Sequence, residues 1–213
     1  MSEDGEGAGW SQILLTDERL LWSGRPHYGR RLFEPVGTER TYHICFIVGV
    51  AAMWSSVPLI ERTGSLTIQD AIWVYGVVSA LFLLSTYLIA VLRSGVLDSV
   101  HYAVTDQRAI VRRDALNYRL SPRTYVVSFP YEGSFPYDIV KNRPLDCLTI
   151  GYLLSEDVVQ PFGFGLTHPG WPVLRNRGVC PVFFEQLDDL MHVRGLIERI
   201  VMQAAQGQRD FSL

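Results

Sequence analysis

The sequence predicts an α+β membrane protein: a hairpin of two transmembrane helices joined to an antiparallel β barrel or sandwich that a C-terminal amphipathic helix closes. Three observations predict it. Residues 41–60 and 71–92 are long apolar stretches. Short β-type runs recur along 94–184, with prolines in most of the breaks between them. The last stretch repeats its apolar residues at three- and four-residue steps, the period of a helix with one buried face.

The first span, TYHICFIVGVAAMWSSVPLI, contains no carboxylate, lysine or arginine. The second, AIWVYGVVSALFLLSTYLIAVL, contains no ionisable side chain beyond its tyrosines. About 20 residues at 1.5 Å each reach roughly the 30 Å of a bilayer's hydrocarbon core. A helix buried in a soluble core usually keeps a polar stripe, and neither span has a charged one. In an antiparallel hairpin Trp54 and Trp73 fall toward one interface, Tyr42 and Tyr87 toward the other. Pro58 stands in the last turn of the first span, where a bend frees few buried carbonyls. Small residues (Gly49, Ala52 and Ser56; Gly76, Ser79 and Ala80) offer a close helix contact, or are ordinary lipid-facing composition. The polar loop 61–70, ERTGSLTIQD, is short enough to force the hairpin.

Cations set the expected sidedness. Arg30, Arg31 and Arg40 precede the first span and Arg93 follows the second, with only Arg62 between them. Both termini are therefore expected in the cytoplasm of a multi-pass inner-membrane protein. No basic region followed by an uninterrupted apolar run opens the chain, so no cleaved signal peptide is expected.

The division that follows is a cytoplasmic segment over 1–40, the hairpin over 41–93, a cytoplasmic module over 94–206 and a tail over 207–213. Residues 1–9 are acidic and glycine-rich. Around 13–25, Leu20-Leu21-Trp22 reads as a strand or helix end closed by a turn, and the chain from there to Thr41 is linker-like. In the module, 100–104 and 109–111 flank Thr105-Asp106-Gln107-Arg108, a tight hairpin. Further runs at 124–129, 148–154, 158–164 and 179–184 read as strands, and the prolines between them exclude a long helix. Leu187, Leu190, Val193, Ile197, Ile200, Val201 and Ala204 then form one apolar stripe, with Asp188 and Asp189 at the helix end that favours negative charge. Gly195 inside this helix costs about 1 kcal/mol against alanine, a cost that close packing on the sheet would justify.

The segments DERLLWSGRP (17–26), YAVTDQRAIV (102–111) and FFEQLDDLMHVRGLIERI (183–200) resemble those of bacterial membrane proteins with a pleckstrin-homology-like domain. In that family a D-E-x-(I/L)-L-W-x-G-R-P box precedes two spans, a Y-x-(V/L)-T-(D/N)-x-R-A box opens the sheet, and a phenylalanine-led helix closes the chain. The resemblance implies a PH-like fold, a membrane address and an interaction role, and no substrate. Residues 130–178 fit it least.

The strongest local charge signal is Arg108, Arg112, Arg113, Arg119 and Arg123, five arginines in 16 residues against one acid, Asp114. If 108–113 is a strand, Arg108 and Arg112 share one face and Arg113 takes the other. These five are the candidate lipid- or phosphate-binding residues; near an anionic leaflet each cation contributes about 1 kcal/mol. The alternative is a solvated hairpin flank that satisfies the positive-inside bias.

Charged residues are 19% of the chain and the net charge is −3, so no overall basic balance points to nucleic acid. Cys45, Cys147 and Cys180 lack the spacing of a zinc site or a disulfide framework, and the five histidines are scattered. No phosphate loop, nucleophile elbow or cofactor motif occurs. The expected function is non-enzymatic: a membrane-anchored module that binds lipids and a membrane-protein partner, as an accessory or assembly factor that could self-associate. The rival is a membrane-bound enzyme with its site in 130–178, around His168 and Trp171.

Overall fold

The computed structural model describes residues 9–59, 67–116, 122–154 and 179–210. The chain is mixed helix and sheet. Among the described residues, two helices are long and apolar enough to cross a membrane.

Helix α1 runs Glu39–Ser55 and a further helical turn carries it to Leu59. The break falls at Ser56, two residues before Pro58, which has no amide hydrogen to donate to the Trp54 carbonyl and crowds it with its ring. The hydroxyls of Ser55 and Ser56 donate back to the carbonyls of Ala52 and Met53, so their polarity is absorbed locally. Helix α2 runs Ile68–Ser99, and Thr67 caps it by accepting from the Asp70 amide. The two helices are antiparallel neighbours. Phe46 stacks on Phe82, and the Trp54 indole donates to Ser79 Oγ and meets Tyr75 edge-on. Gly49 and Gly76 both face open space, so the expected close approach does not run through these glycines.

At 1.5 Å per residue the 32-residue α2 is about 48 Å long, well beyond a bilayer core. Its apolar run was expected to end at residue 92. Instead the helix continues through Ser99, because Val96 packs into the sheet core and Leu97 is buried against Gly29, and strand β2 begins at the next residue.

Strands β1 (Leu20–Gly24), β2 (Val100–Thr105), β3 (Arg108–Leu116) and β4 (Pro122–Pro130) form one antiparallel sheet in that order. The β2–β3 hairpin turns on Asp106 and Gln107, with Val104 opposite Ala109. Strands β5 (Ile139–Val140), β6 (Cys147–Leu154) and β7 (Val179–Phe184) form a second antiparallel sheet. Of the expected barrel or sandwich, the closed barrel is corrected: among the described residues the strands divide into two sheets that are not closed on each other. Packing joins them instead. The Phe129 ring of β4 lies where a Cβ on Gly151 would sit, at the register shift of β6, so only glycine fits there.

Alternation sorts the first sheet. Tyr102, Val104, Ala109 and Val111 face a core shared with Leu148, Ile150, Val182 and Phe184 of the second sheet. Helix α3 (Leu190–Asp210) closes that core with Val193 and Ile197. On the other face, Ala103 and Ile110 are covered by Trp10, Ile13 and Leu14. The segment from Pro26 to Thr38, expected as a linker, is also packed: Val36 is buried and the Gly37 amide donates to the Arg143 carbonyl. The strand expected at 158–164 lies outside the described residues.

Gly195 corrects a further expectation. A Cβ there meets nothing within 4 Å outside the helix backbone, so contact with the sheet does not require glycine. Gly195→Ala should therefore stabilise the protein by about 1 kcal/mol, read by denaturant unfolding in detergent; a loss of stability would contradict the open surroundings.

Candidate functional site

Strand β3 places Arg108 and Arg112 on the face covered by the N-terminal segment, as alternation requires, and Arg113 on the other. Their surroundings differ. Arg108 holds Glu18 through two contacts, Nε to Oε1 at 2.8 Å and Nη2 to Oε2 at 2.9 Å. It also donates to the Ile13 carbonyl and to Ser128 Oγ. Glu18 accepts further from Thr105 Oγ1 at 2.7 Å and from the Leu15 amide at 2.9 Å, and its carboxylate is fully buried. The Arg108 guanidinium lowers the Glu18 carboxyl to about 2, with the Leu15 and Thr105 donors adding to the effect against burial. Nearby, Asp106 Oδ1 accepts from the Arg19 amide. The two sequence boxes thus meet as one hydrogen-bonded joint between the segment before β1 and the β2–β3 turn.

Arg112 pairs with Asp114 at 2.8 Å, donates to the Gly9 carbonyl at 2.7 Å and lies over the Trp10 ring. Thr124 also donates to Asp114. Arg113 reaches Ser99 Oγ at the end of α2, where burial lowers its pKa. Arg123 stands in β4 opposite Ala115, and Arg119 lies outside the described residues. Arg108, Arg112 and Arg113 therefore do not converge on one cavity. The first two already carry carboxylate partners.

A second polar centre sits where α1 and α2 meet the sheets, and the sequence reading missed it. Arg93, read as a flanking cation, is buried and pairs with Glu39 at 2.7 Å. Its Nη1 donates to the Gly29 and Arg31 carbonyls, and its Nη2 to the Leu32 carbonyl at 2.8 Å. Loop 29–34 aims those carbonyls by curling around Glu34, whose Oε2 accepts from the Gly29 and Arg31 amides. Gly29 has φ +88°, and a Cβ there would collide with Leu97 and Val36. His43 lies 3.6 Å from the other Glu39 oxygen. A single arginine beside an apolar run reads as an interface cation; only the fold reveals its cage.

A third cluster forms where Asn142 and Cys147, in the described part of 130–178, lie near Tyr102 of β2 and Glu185 after β7. The Glu185 amide donates to the Tyr102 hydroxyl, and Asn142 donates to Cys147 Sγ at 3.3 Å. Burial pushes the Cys147 thiol up to about 12 and the Tyr102 hydroxyl well above its ordinary value, so both stay protonated at neutral pH. Among the described residues, no three His, Cys, Asp or Glu side chains gather as a metal site. His168 and Trp171 lie outside the described residues.

Comparison with protein-family models, with curated proteins and with solved structures returned no match.

Proposed function

We propose that this chain is an inner-membrane protein whose α1–α2 hairpin anchors a PH-like binding module at the cytoplasmic surface. The module acts without catalysis, as an accessory or assembly element for a membrane-protein partner. The observation that carries the anchor is the bare surface of the hairpin. The apolar window of α1 is 0% buried and that of α2 is 6% buried, with Ile47, Val77, Leu81 and Leu83 all outward. Surface of that kind on two adjoining helices needs hydrocarbon or a protein partner to cover it.

Strand pairing supports a shared side for both flanks. Strand β1 precedes the hairpin and β2 follows it, yet they are hydrogen-bonded neighbours. Whatever side one flank occupies, the other must share it. The arginines around residues 30–40 support the cytoplasmic assignment. The Glu18–Arg108 joint supports the resemblance, because it gives the two boxes one structural purpose.

Labelling with a membrane-impermeant maleimide tests the proposal in intact inner-membrane spheroplasts. Ser65→Cys in the loop should label before lysis and Ser212→Cys only after it. Labelling of Ser212→Cys from outside would overturn the sidedness. Release of the protein by alkaline carbonate would overturn the anchor.

A further inference from the structure

Phe33 is 91% exposed, although the loop that carries it is firmly held. It stands at the tip of a turn closed by the Glu34 amide donating to the Arg31 carbonyl. The carbonyls of Arg31 and Leu32, leading into that tip, are fixed by Arg93. A soluble surface gives no reason to hold a phenylalanine outward on a fastened turn. The location does. The cage joins Glu39, in the first turn of α1, to Arg93, which directly follows the apolar run of α2. Phe33 therefore projects at the level where both helices leave their apolar stretches.

The charge at this level is suited to an anionic surface. Arg30, Arg31, Arg40 and Arg93 face three carboxylates, Glu34, Glu39 and Asp98. Arg93 is consumed by Glu39, and Arg30 pairs with Asp98 at 3.0 Å. Arg31 is 88% exposed, with Glu34 only at 3.8 Å, and Arg40 is exposed on the first turn of α1. Glu34 spends its other oxygen on backbone amides.

We infer that loop 29–34 is a lipid-binding element: Phe33 inserts just beneath the headgroups, beside the glycerol-linked start of the acyl chains, while Arg31 and Arg40 meet the phosphates of anionic phospholipids. An aromatic ring at the water–lipid boundary gains from burying its apolar body, and guanidinium groups pair well with phosphate oxygens. Each arginine beside an anionic leaflet contributes about a fivefold preference. This shifts the lipid contact away from the β3 flank, whose Arg108 and Arg112 are already paired, to the base of the hairpin. The inference rests on the anchor proposed above.

Photocrosslinking of the full chain separates the two. The protein is reconstituted in phosphatidylcholine vesicles, with or without phosphatidylglycerol, carrying a diazirine either in the headgroup or at the acyl-chain end. Adducts are then mapped by mass spectrometry. The acyl probe should mark α1 and α2. The headgroup probe should mark 29–34 about 25-fold more with phosphatidylglycerol present, two arginines at about fivefold each. Acyl adducts on the helices with no headgroup adducts on 29–34 would overturn the lipid element and leave the anchor standing; no acyl adducts on the helices would overturn the anchor itself. The triple variant Phe33→Ser/Arg31→Ser/Arg40→Ser removes only side chains that do not hold the loop. It should abolish the phosphatidylglycerol preference while circular dichroism and unfolding stay unchanged. Retention of that preference in the triple variant would equally overturn the element.

Discussion

Arg93→Leu is expected to destabilise the protein by about 3–5 kcal/mol, the cost of leaving a buried charge without its partner. The variant strands the Glu39 carboxylate and three carbonyls, those of Gly29, Arg31 and Leu32, in a place water does not reach freely. The double variant Glu39→Leu/Arg93→Leu should recover part of this loss, because the stranded charge is gone. Recovery stays incomplete, since the carbonyls still lack donors. Arg93→Lys should fall between, as one ammonium cannot serve a carboxylate and three carbonyls at fixed angles. Denaturant unfolding in detergent micelles measures the series. A loss below about 0.5 kcal/mol for Arg93→Leu would mean that the cage is not a stability element.

The second large effect is at Glu18. Its carboxyl titrates at about 2 in the folded chain against an ordinary 4.5. A depressed carboxyl contributes stability that is fully present above the unfolded value and is lost as pH falls through the folded one. The window is therefore roughly pH 4.5 down to 2, and the shift corresponds to about 3 kcal/mol. Glu18→Gln should lose about that much at pH 7. It should also flatten the acid limb of stability relative to the unaltered protein. Against partial burial, Asp114 and Asp146 are likewise held below their usual range by Arg112 and Lys141, but they titrate in both proteins and cancel in the difference. Parallel acid limbs in the two proteins would sink the assignment.

What the sequence made legible is what short-range pattern encodes. The apolar runs of α1 and α2, the β2–β3 turn around Asp106, the strand near 179–184 and the stripe of α3 all follow from period and composition within a few neighbours. Arg113 falling opposite Arg108 and Arg112 follows from the same alternation. What escaped depends on partners far along the chain. Glu18 and Arg108 are separated by 90 positions, and Arg93 and Gly29 by 64, so no local window pairs them. The extension of α2 past residue 92 escaped for a similar reason. Ser94, Gly95 and Asp98 break the apolar run, and only the sheet core around Val96 and the Gly29 loop against Leu97 explain why the chain stays helical there. Glycine misled in both directions. Gly195 reads as a packing requirement and has open space around it, whereas Gly151 draws no notice in the sequence and accommodates the Phe129 ring.

The pairing of β1 with β2 has a consequence for synthesis. Glu18 leaves the ribosome 87 residues before Thr105, the first of its side-chain partners in β2. At about 5–20 residues per second, that is a wait of about 4–17 s. With the hairpin as the proposed membrane anchor, the insertion machinery must in that time deliver both helices and return the nascent chain to the side it started from. The edge of the first sheet is thus completed only after insertion has succeeded. A chain in which only one of the two helices crosses has its flanks on opposite sides and its amino-terminal strand unpaired, a mark by which quality control tells the two products apart.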